Sequence, residues 1–144
     1  MGVAELLLKR KQELAARNLQ EGADYVNAFR GEEGVEELSE GVLYKVIEQG
    51  TGVKPAADGR VRCHYRGTNI KGEVFDSSYE RGKPAEFSIA KLIRGWQLVM
   101  PHLPAGTRAR LVIPSQLAYG EEQISKEIGP NSTLVFDIEL LEVI

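Results

Sequence analysis

The sequence predicts an α+β domain, an antiparallel sheet wrapped round one short helix, preceded by a single N-terminal helix. Three observations lead there. Apolar residues recur at three- and four-residue steps up to Phe29 and at two-residue steps after Gly41. One stretch of the second part, Ile93 to Leu103, departs from the two-residue period. Strands therefore do not alternate with helices, which separates this pattern from α/β.

The N-terminal helix is marked by Ala15, Leu19, Ala23, Val26 and Phe29, with charges between them and Gly31 as its stop. A lone amphipathic helix cannot bury its own stripe. It packs on the main domain, on a second copy of the chain or on a client, or it is a solvated spacer. Glu32, Glu33, Gly34, Glu36 and Glu37 follow as an acidic linker, so residues 1–40 read as a helical arm and residues 41–144 as the main domain.

In that domain Val61, Cys63 and Tyr65 alternate with Arg62, His64 and Arg66. Ala109, Leu111 and Ile113 alternate with Arg108, Arg110 and, less cleanly, Val112. Leu134, Phe136, Ile138 and Leu140 alternate with Val135, Asp137, Glu139 and Leu141. These are half-buried strands with one polar face. Leu43 to Ile47 and the short run Glu86 to Ile89 are two more, with Gly, Pro, Asn and Asp clustered between strands as turns require. Ile93 to Leu103 reads as the short helix, with Pro101 at or beyond its last turn.

Composition bounds the function. A length of 144 residues, 42% apolar and 27% charged, fits one globular domain with a real core. No apolar run approaches the roughly 20 residues of a membrane helix. Leu6 to Leu8 is too short for a secretory signal, and Lys9, Arg10 and Lys11 lie on its wrong side, so the expected location is cytoplasmic, or periplasmic if a leader has been removed. Residues 1–38 hold 5 Lys/Arg against 8 Asp/Glu and the remainder 13 against 13, so neither part carries a basic footprint for nucleic acid. The single cysteine, Cys63, excludes an internal disulfide and a multi-cysteine metal site.

The common chemistries fit poorly. His64 and His102 have no evident Ser or Cys partner, and Cys63 faces the core. Metal-ligand clusters are missing. Glu121 and Glu122 read as a loop tip, and Gly50-Thr51-Gly52 lacks the rest of a phosphate loop. What remains is an aromatic set in a chain with only 7% aromatic residues: Tyr65, Phe75, Phe87, Trp96, Tyr119 and Phe136 fall at inward positions or loop edges. A concavity walled by rigid rings with few polar groups is the default ligand pocket. Asp76 is its notable polar member. A lone carboxylate among apolar groups is costly, and Arg81 is the obvious partner.

The runs Val61 to Gly67, Val74 to Tyr79, Leu92 to Trp96, Leu117 to Gly120 and Leu134 to Leu141 resemble, in order, the motifs of the FKBP-type peptidyl-prolyl isomerases, the immunophilins that bind macrolides of the FK506/rapamycin type. The arm, joined through Gly41 to Val46, is similar to that of bacterial macrophage-infectivity-potentiator-like members, whose helical dimerisation segment is longer. The resemblance implies a five-stranded antiparallel sheet curled round the short helix. It also implies isomerisation of X–Pro bonds in peptides and in unfolded or nascent proteins, with no cofactor and no metal, and dimerisation through the arm as one option. Carried over by position, Trp96 is the pocket floor, and Tyr65, Phe75, Phe87, Leu92, Ile93, Tyr119, Ile128 and Phe136 are its walls. Asp76 and Arg81 are the polar members, and Tyr65, Phe75, Asp76, Trp96, Tyr119 and Phe136 are the residues expected to carry catalysis. Two positions depart: Ala85, where some members have phenylalanine, so that one wall is expected to be more open, and Ile124, where eukaryotic members often have histidine. The competing readings are a non-catalytic chaperone or binding module for proline-containing segments, supported by the arm's apolar stripe, and a small-molecule carrier.

Overall fold

A computed structural model describes residues 2–144. The arm is one α-helix, α1 (Val3–Arg30), which ends at Gly31. Seven strands follow: β1 (Val35–Glu37), β2 (Leu43–Glu48), β3 (Arg60–Asn69), β4 (Val74–Ser77), β5 (Ala85–Ser88), β6 (Arg108–Ile113) and β7 (Leu134–Val143). A single helical turn, α2 (Ser78–Arg81), joins β4 to β5, and α3 (Arg94–Val99) lies between β5 and β6. The sheet runs β1-β2-β6-β7-β3-β4, all neighbours antiparallel, with β5 sharing the outer edge of β3 with β4.

Five of these strands are those expected from the alternation, and two are additional. β1 lies inside the acidic segment: Val35 pairs with Lys45 and Glu37 with Leu43, so part of the linker is an edge strand. Three residues, two of them Glu, are too short and too charged to carry a periodic signal. β4 is the other. At its pairing with β3, Gly67 faces Asp76 and Thr68 faces Val74, so Phe75 is the extra residue of a bulge. A bulge breaks strict alternation, which hides the strand from a period-two reading.

The inward positions Val61, Cys63, Tyr65, Ala109, Leu111, Ile113, Leu134, Phe136, Ile138 and Leu140 form the core with Trp96, Val99, Met100 and Leu103 from α3 and the turn after it. That turn, Met100–His102, is a 3-10 helix, because Pro101 has no N–H and cannot extend an α-helix. The short helix is therefore α-helical only to Val99. The opposite face of the sheet is also covered in part. Leu43, Val112 and Val135 align across β2, β6 and β7, and together with Val26 and Phe29 of α1 they form a second buried cluster. This accounts for the imperfect alternation at Val112: both of its strand's faces are buried at that point.

The arm thus packs on its own domain through its second half. The buried face differs from the expected stripe. Val26 and Phe29 are buried as predicted, and Ala15 is half-buried, but Leu19 and Ala23 are exposed. The contact face instead runs through Leu14, Asn18, Gly22 and Tyr25. Gly22 sets it: a Cβ there would collide with the Thr133 side chain, so the bare backbone is what meets the chain where it enters β7. A reading based on apolar side chains does not register a contact made by a glycine. Val3, Leu6, Leu7 and Leu8, in the first half of α1, stay exposed.

Phe29→Ala removes the largest of the buried side chains of α1 and is expected to cost about 3 kcal/mol. Urea denaturation measures that loss, and amide exchange of α1 between Gly22 and Arg30 should rise with it.

Candidate active site

The concave face of the sheet and the start of α3 enclose an aromatic cavity. β3 contributes Tyr65, β5 contributes Phe87, and β7 contributes Phe136, each at an inward position of its strand. β4 contributes both Phe75 and Asp76. Consecutive strand residues ordinarily face opposite ways; the bulge at Phe75 turns both toward the cavity. Leu92, Ile93 and Trp96 come from the entry to α3, and Tyr119 from the loop after β6. The cavity measures about 320 Å³.

Trp96 is only 3% exposed and forms the floor. Three rings stand edge-on to its indole. Their centroids lie at 5.2 Å for Phe136, 5.6 Å for Tyr65 and 5.7 Å for Phe87, at interplanar angles of 85°, 87° and 75°. Phe75 then stands edge-on to Phe136 at 5.6 Å. Edge-to-face contacts of this kind add about 0.5–1.5 kcal/mol each beyond burial, so they hold the walls in one arrangement. Gly67, at the next inward position of β3 after Tyr65, makes room for them. A Cβ there would lie 2.6 Å from Phe75 Cζ and 2.8 Å from Phe136 Cε1.

The polar rim is a closed triangle. Tyr65 Oη donates to Asp76 Oδ2, Arg81 Nη1 donates to Asp76 Oδ1, and Arg81 Nη2 donates to Tyr65 Oη at 3.0 Å. The guanidinium also lies 5.5 Å from the centre of the Tyr65 ring. The turn α2 makes this possible. Ser77 caps it by accepting from the Glu80 N–H, and Gly82 ends it in the left-handed region at φ 77°, so Arg81 returns beside Asp76. Ser78 anchors α2 on β3, accepting the Tyr65 N–H at 2.8 Å and pairing with His64 Nδ1 at 2.8 Å. Burial, with the hydrogen bond to Asp76 after it, pushes the Tyr65 phenol up. The phenol is thus a neutral donor throughout the ordinary pH range.

Nine of the eleven residues singled out from sequence line the cavity: Tyr65, Phe75, Asp76, Phe87, Leu92, Ile93, Trp96, Tyr119 and Phe136. Arg81 stands at the rim rather than in the lining and reaches the site through Asp76 and Tyr65. Ile128 does not line it. At 3% exposure it is core, turned inward from the loop that follows Tyr119. Ala85 sits on β5 opposite Cys63 and Ile124 is exposed; neither lines the cavity, so the wider wall expected at Ala85 is not part of it. Lys91 lines the cavity and escaped the sequence reading, because a charged residue before Leu92 carries no aromatic or periodic signal. Gly67 escaped it for the same reason as Gly22. The histidines are elsewhere: His64, for which the sequence showed no serine partner, pairs with Ser78, whose hydroxyl is tied to the Tyr65 backbone, and stacks on Tyr79 at 4.5 Å, while His102 lies 6.4 Å from Tyr44. Burial pushes the Cys63 thiol up to about 12, so it is no nucleophile.

Gly67→Ala should displace the Phe75 and Phe136 rings and cost about 1–3 kcal/mol as an overpacked site. Trp96 is the only tryptophan, so its emission reports the floor directly. An unshifted spectrum with unchanged stability would contradict this packing.

Comparisons with known proteins extend the geometry. The profile of the FKBP-type peptidyl-prolyl cis-trans isomerase family matches residues 52–141, and the profile of the domain amino terminal to FKBP-type peptidyl-prolyl isomerase matches residues 2–46. The FKBP-type 22 kDa peptidyl-prolyl cis-trans isomerase of Escherichia coli K12 is 45% identical over 136 residues, covering 94% of this chain and 64% of that protein. The outer membrane protein MIP of Legionella longbeachae is 39% identical over 142 residues, 96% of this chain and 61% of that one. Among solved structures, FkpA from Escherichia coli superposes with a TM-score of 0.90 at 41% identity, over 94% of this chain and 63% of that chain. A peptidyl-prolyl cis-trans isomerase from Pseudomonas syringae pv. tomato does so with a TM-score of 0.83 at 37% identity, over 90% of this chain and 95% of that chain. The chain spans between 47% and 64% of the length of curated relatives that it matches. With the fold, the aromatic cavity and both segments matched in the same order along the sequence, the chain belongs to the FKBP-type peptidyl-prolyl cis-trans isomerase family.

Proposed function

We propose that the chain catalyses cis-trans isomerisation of X–Pro bonds in peptide and unfolded-protein clients. The observation that carries this reading is the ring-walled, largely apolar cavity over Trp96 with its polar rim of Tyr65, Asp76 and Arg81. X–Pro rotation breaks no bond, but amide resonance must be lost, at a barrier of roughly 20 kcal/mol. The planar amide has the larger charge separation. Transfer from water into an apolar cavity destabilises it relative to the twisted form. Each 1.4 kcal/mol of that difference is about a tenfold gain in rate. No acid or base needs to titrate.

In this reading the proline ring sits on the Trp96 indole between Phe75, Phe87 and Phe136. Tyr119 Oη and the Ile93 N–H hold the flanking carbonyls. Ile93 is the N-cap of α3: its carbonyl accepts from the Trp96 and Gln97 N–H groups, while its own N–H enters no backbone hydrogen bond among the described residues. It is therefore free for a ligand. Asp76, held from both sides by Tyr65 and Arg81, stands at the mouth, where it meets the dipole of the twisted amide. FK506- or rapamycin-type macrolides would compete for the same cavity.

The exposed leucines of α1 support a further assignment, contact with a second copy of the chain. Leu7 and Leu8 are 57% and 56% exposed and continue the arm beyond the part that rests on the sheet. The same surface favours a second reading, a holdase that captures unfolded segments. Of the two locations open from the sequence, the periplasmic one gains support from a relative named as an outer membrane protein, and the cytoplasmic one gains none.

A protease-coupled assay on an X–Pro peptide tests the function. Wild type should be active and inhibited by a macrolide; Trp96→Ala and Phe75→Ala should lose about tenfold or more, in part through lost packing. Phe136→Tyr adds one hydroxyl to the wall, and an unchanged rate would remove Phe136 from the site. The pH profile follows from Tyr65. Its folded pKa is raised, so the contribution of the neutral phenol is complete below its ordinary value of about 10 and is lost only above that. Activity should thus be level from about pH 6 to 9, and a climb along a histidine titration would contradict the mechanism. For the arm, Leu7→Ser with Leu8→Ser should reduce the sedimentation coefficient and leave peptide turnover unchanged. A monomeric wild type that suppresses aggregation through the same residues would favour the holdase instead.

A further inference from the structure

The loop that begins after Tyr119 is closed on itself and pinned from outside at two carbonyls. Asn131 N–H donates to Gly120 O at 2.8 Å and closes the neck. Inside, the Ile124 and Ser125 N–H groups both donate to Ile128 O, and the Ile128 N–H donates to Ser125 Oγ. Ile128 is thereby driven into the core while the polar tip, Glu121 to Gln123, stays exposed. The carbonyls on either side of Ile128 are each held by an asparagine from another element. Asn69, at the end of β3, donates to Glu127 O at 3.0 Å. Asn18, on α1, donates to Pro130 O at 2.8 Å. Gly129 is what admits Asn18, since a Cβ there would lie 3.1 Å from Asn18 Nδ2. A return contact, Asn131 Nδ2 to Ala15 O at 3.3 Å, ties the neck to the same helical turn.

Asn18 is polar, half-buried and in the middle of a helix face that otherwise docks through Gly22, Val26 and Phe29. Those residues suffice to seat the arm; Asn18 adds a directional bond to the loop whose other end carries Tyr119 of the cavity wall. We propose that Asn18 is a positioning residue for the proline pocket, through which the N-terminal helix fixes the loop from Tyr119 to Pro130 and so tunes which residue is accepted before proline. This rests on the isomerase reading above.

The test uses the full chain with Asn18→Ala, Asn18→Asp and Asn18→Gln. Aspartate keeps the shape but loses the donor; glutamine keeps the donor. X–Pro peptides that differ in the residue before proline are turned over by each variant, and amide exchange is read at Ile124, Ser125, Ile128 and Asn131. Alanine and aspartate should raise KM about fivefold, unequally across the peptides, which is the equivalent of about 1 kcal/mol. They should speed exchange of the four loop amides and leave the α1 amides near Val26 and Phe29 protected. Glutamine should restore much of both. Unchanged KM ratios, unchanged loop exchange, or exchange that rises along the whole of α1 would overturn the proposal, the last because the residue would then merely dock the helix. If wild type does not turn over any X–Pro peptide, the isomerase reading has failed. Loop exchange and the affinity for the same peptides then decide the role of Asn18 on their own.

Discussion

The edge-on packing of three rings against the indole of Trp96 is the contact on which the site depends. The rings come from β3, β5 and β7, so the indole closes the concave face of the sheet and is the floor of the cavity at once. Neither role is separable from the other. Remove the indole and the walls lose the surface that sets their angles; flatten the sheet and the rings no longer converge. The rings find room where the chain departs from regular geometry, at the bulge that presents Phe75 and Asp76 together and at Gly67, which yields its volume to the Phe75 and Phe136 rings.

An apolar, ring-walled cavity of this kind favours polar groups that satisfy one another at its rim. Asp76 lies beside apolar walls and is satisfied on both oxygens, by Tyr65 and by Arg81. The third side, Arg81 to Tyr65, closes the set, so each member is hydrogen-bonded to the other two. The half-exposed guanidinium stays hydrated while its charge holds the carboxylate at the mouth. One helical turn, α2, delivers that charge, and its buried Ser78 is anchored to the backbone of the very residue, Tyr65, that the charge serves. Geometry and electrostatics at the rim are thus set by the same short segment.

On the far side of the sheet the arm covers what would otherwise be an exposed apolar strip, Leu43, Val112 and Val135. It does so with only part of its length. The first half of α1 extends past the sheet with its leucines in solvent, while the second half contacts both the sheet and the base of the pocket loop. The segment joining arm and domain is fixed as well: β1 adds an edge strand, and Glu40, in the turn after it, pairs with Arg94 at the start of α3. The arm therefore meets the two sides of the cavity's support, through the loop on one and the floor helix on the other.

Periodicity alone determined the helical arm, five of the strands, their inward faces and the one helix between them, because regular elements repeat their burial every 3.6 or 2 residues. The rings Tyr65, Phe87, Trp96 and Phe136 were legible as large apolar groups at inward positions or loop edges, and the cost of a lone carboxylate among apolar groups pointed from Asp76 to Arg81 as its partner. What escaped were contacts made without a side chain or outside a period. Gly22 and Gly67 act by having no Cβ, β4 is bulged, and β1 is three residues long. The face of α1 was misjudged at Leu19 and Ala23 for that reason. Ile128 was expected in the wall and is instead core, since an apolar residue in a loop can point either way and only the hydrogen bonds of the closed loop turn it inward. The sequence by itself determined which residues are hydrophobic and at what spacing; only the tertiary structure decided which backbones touch, because close approach is a property of two segments and is written in neither one alone.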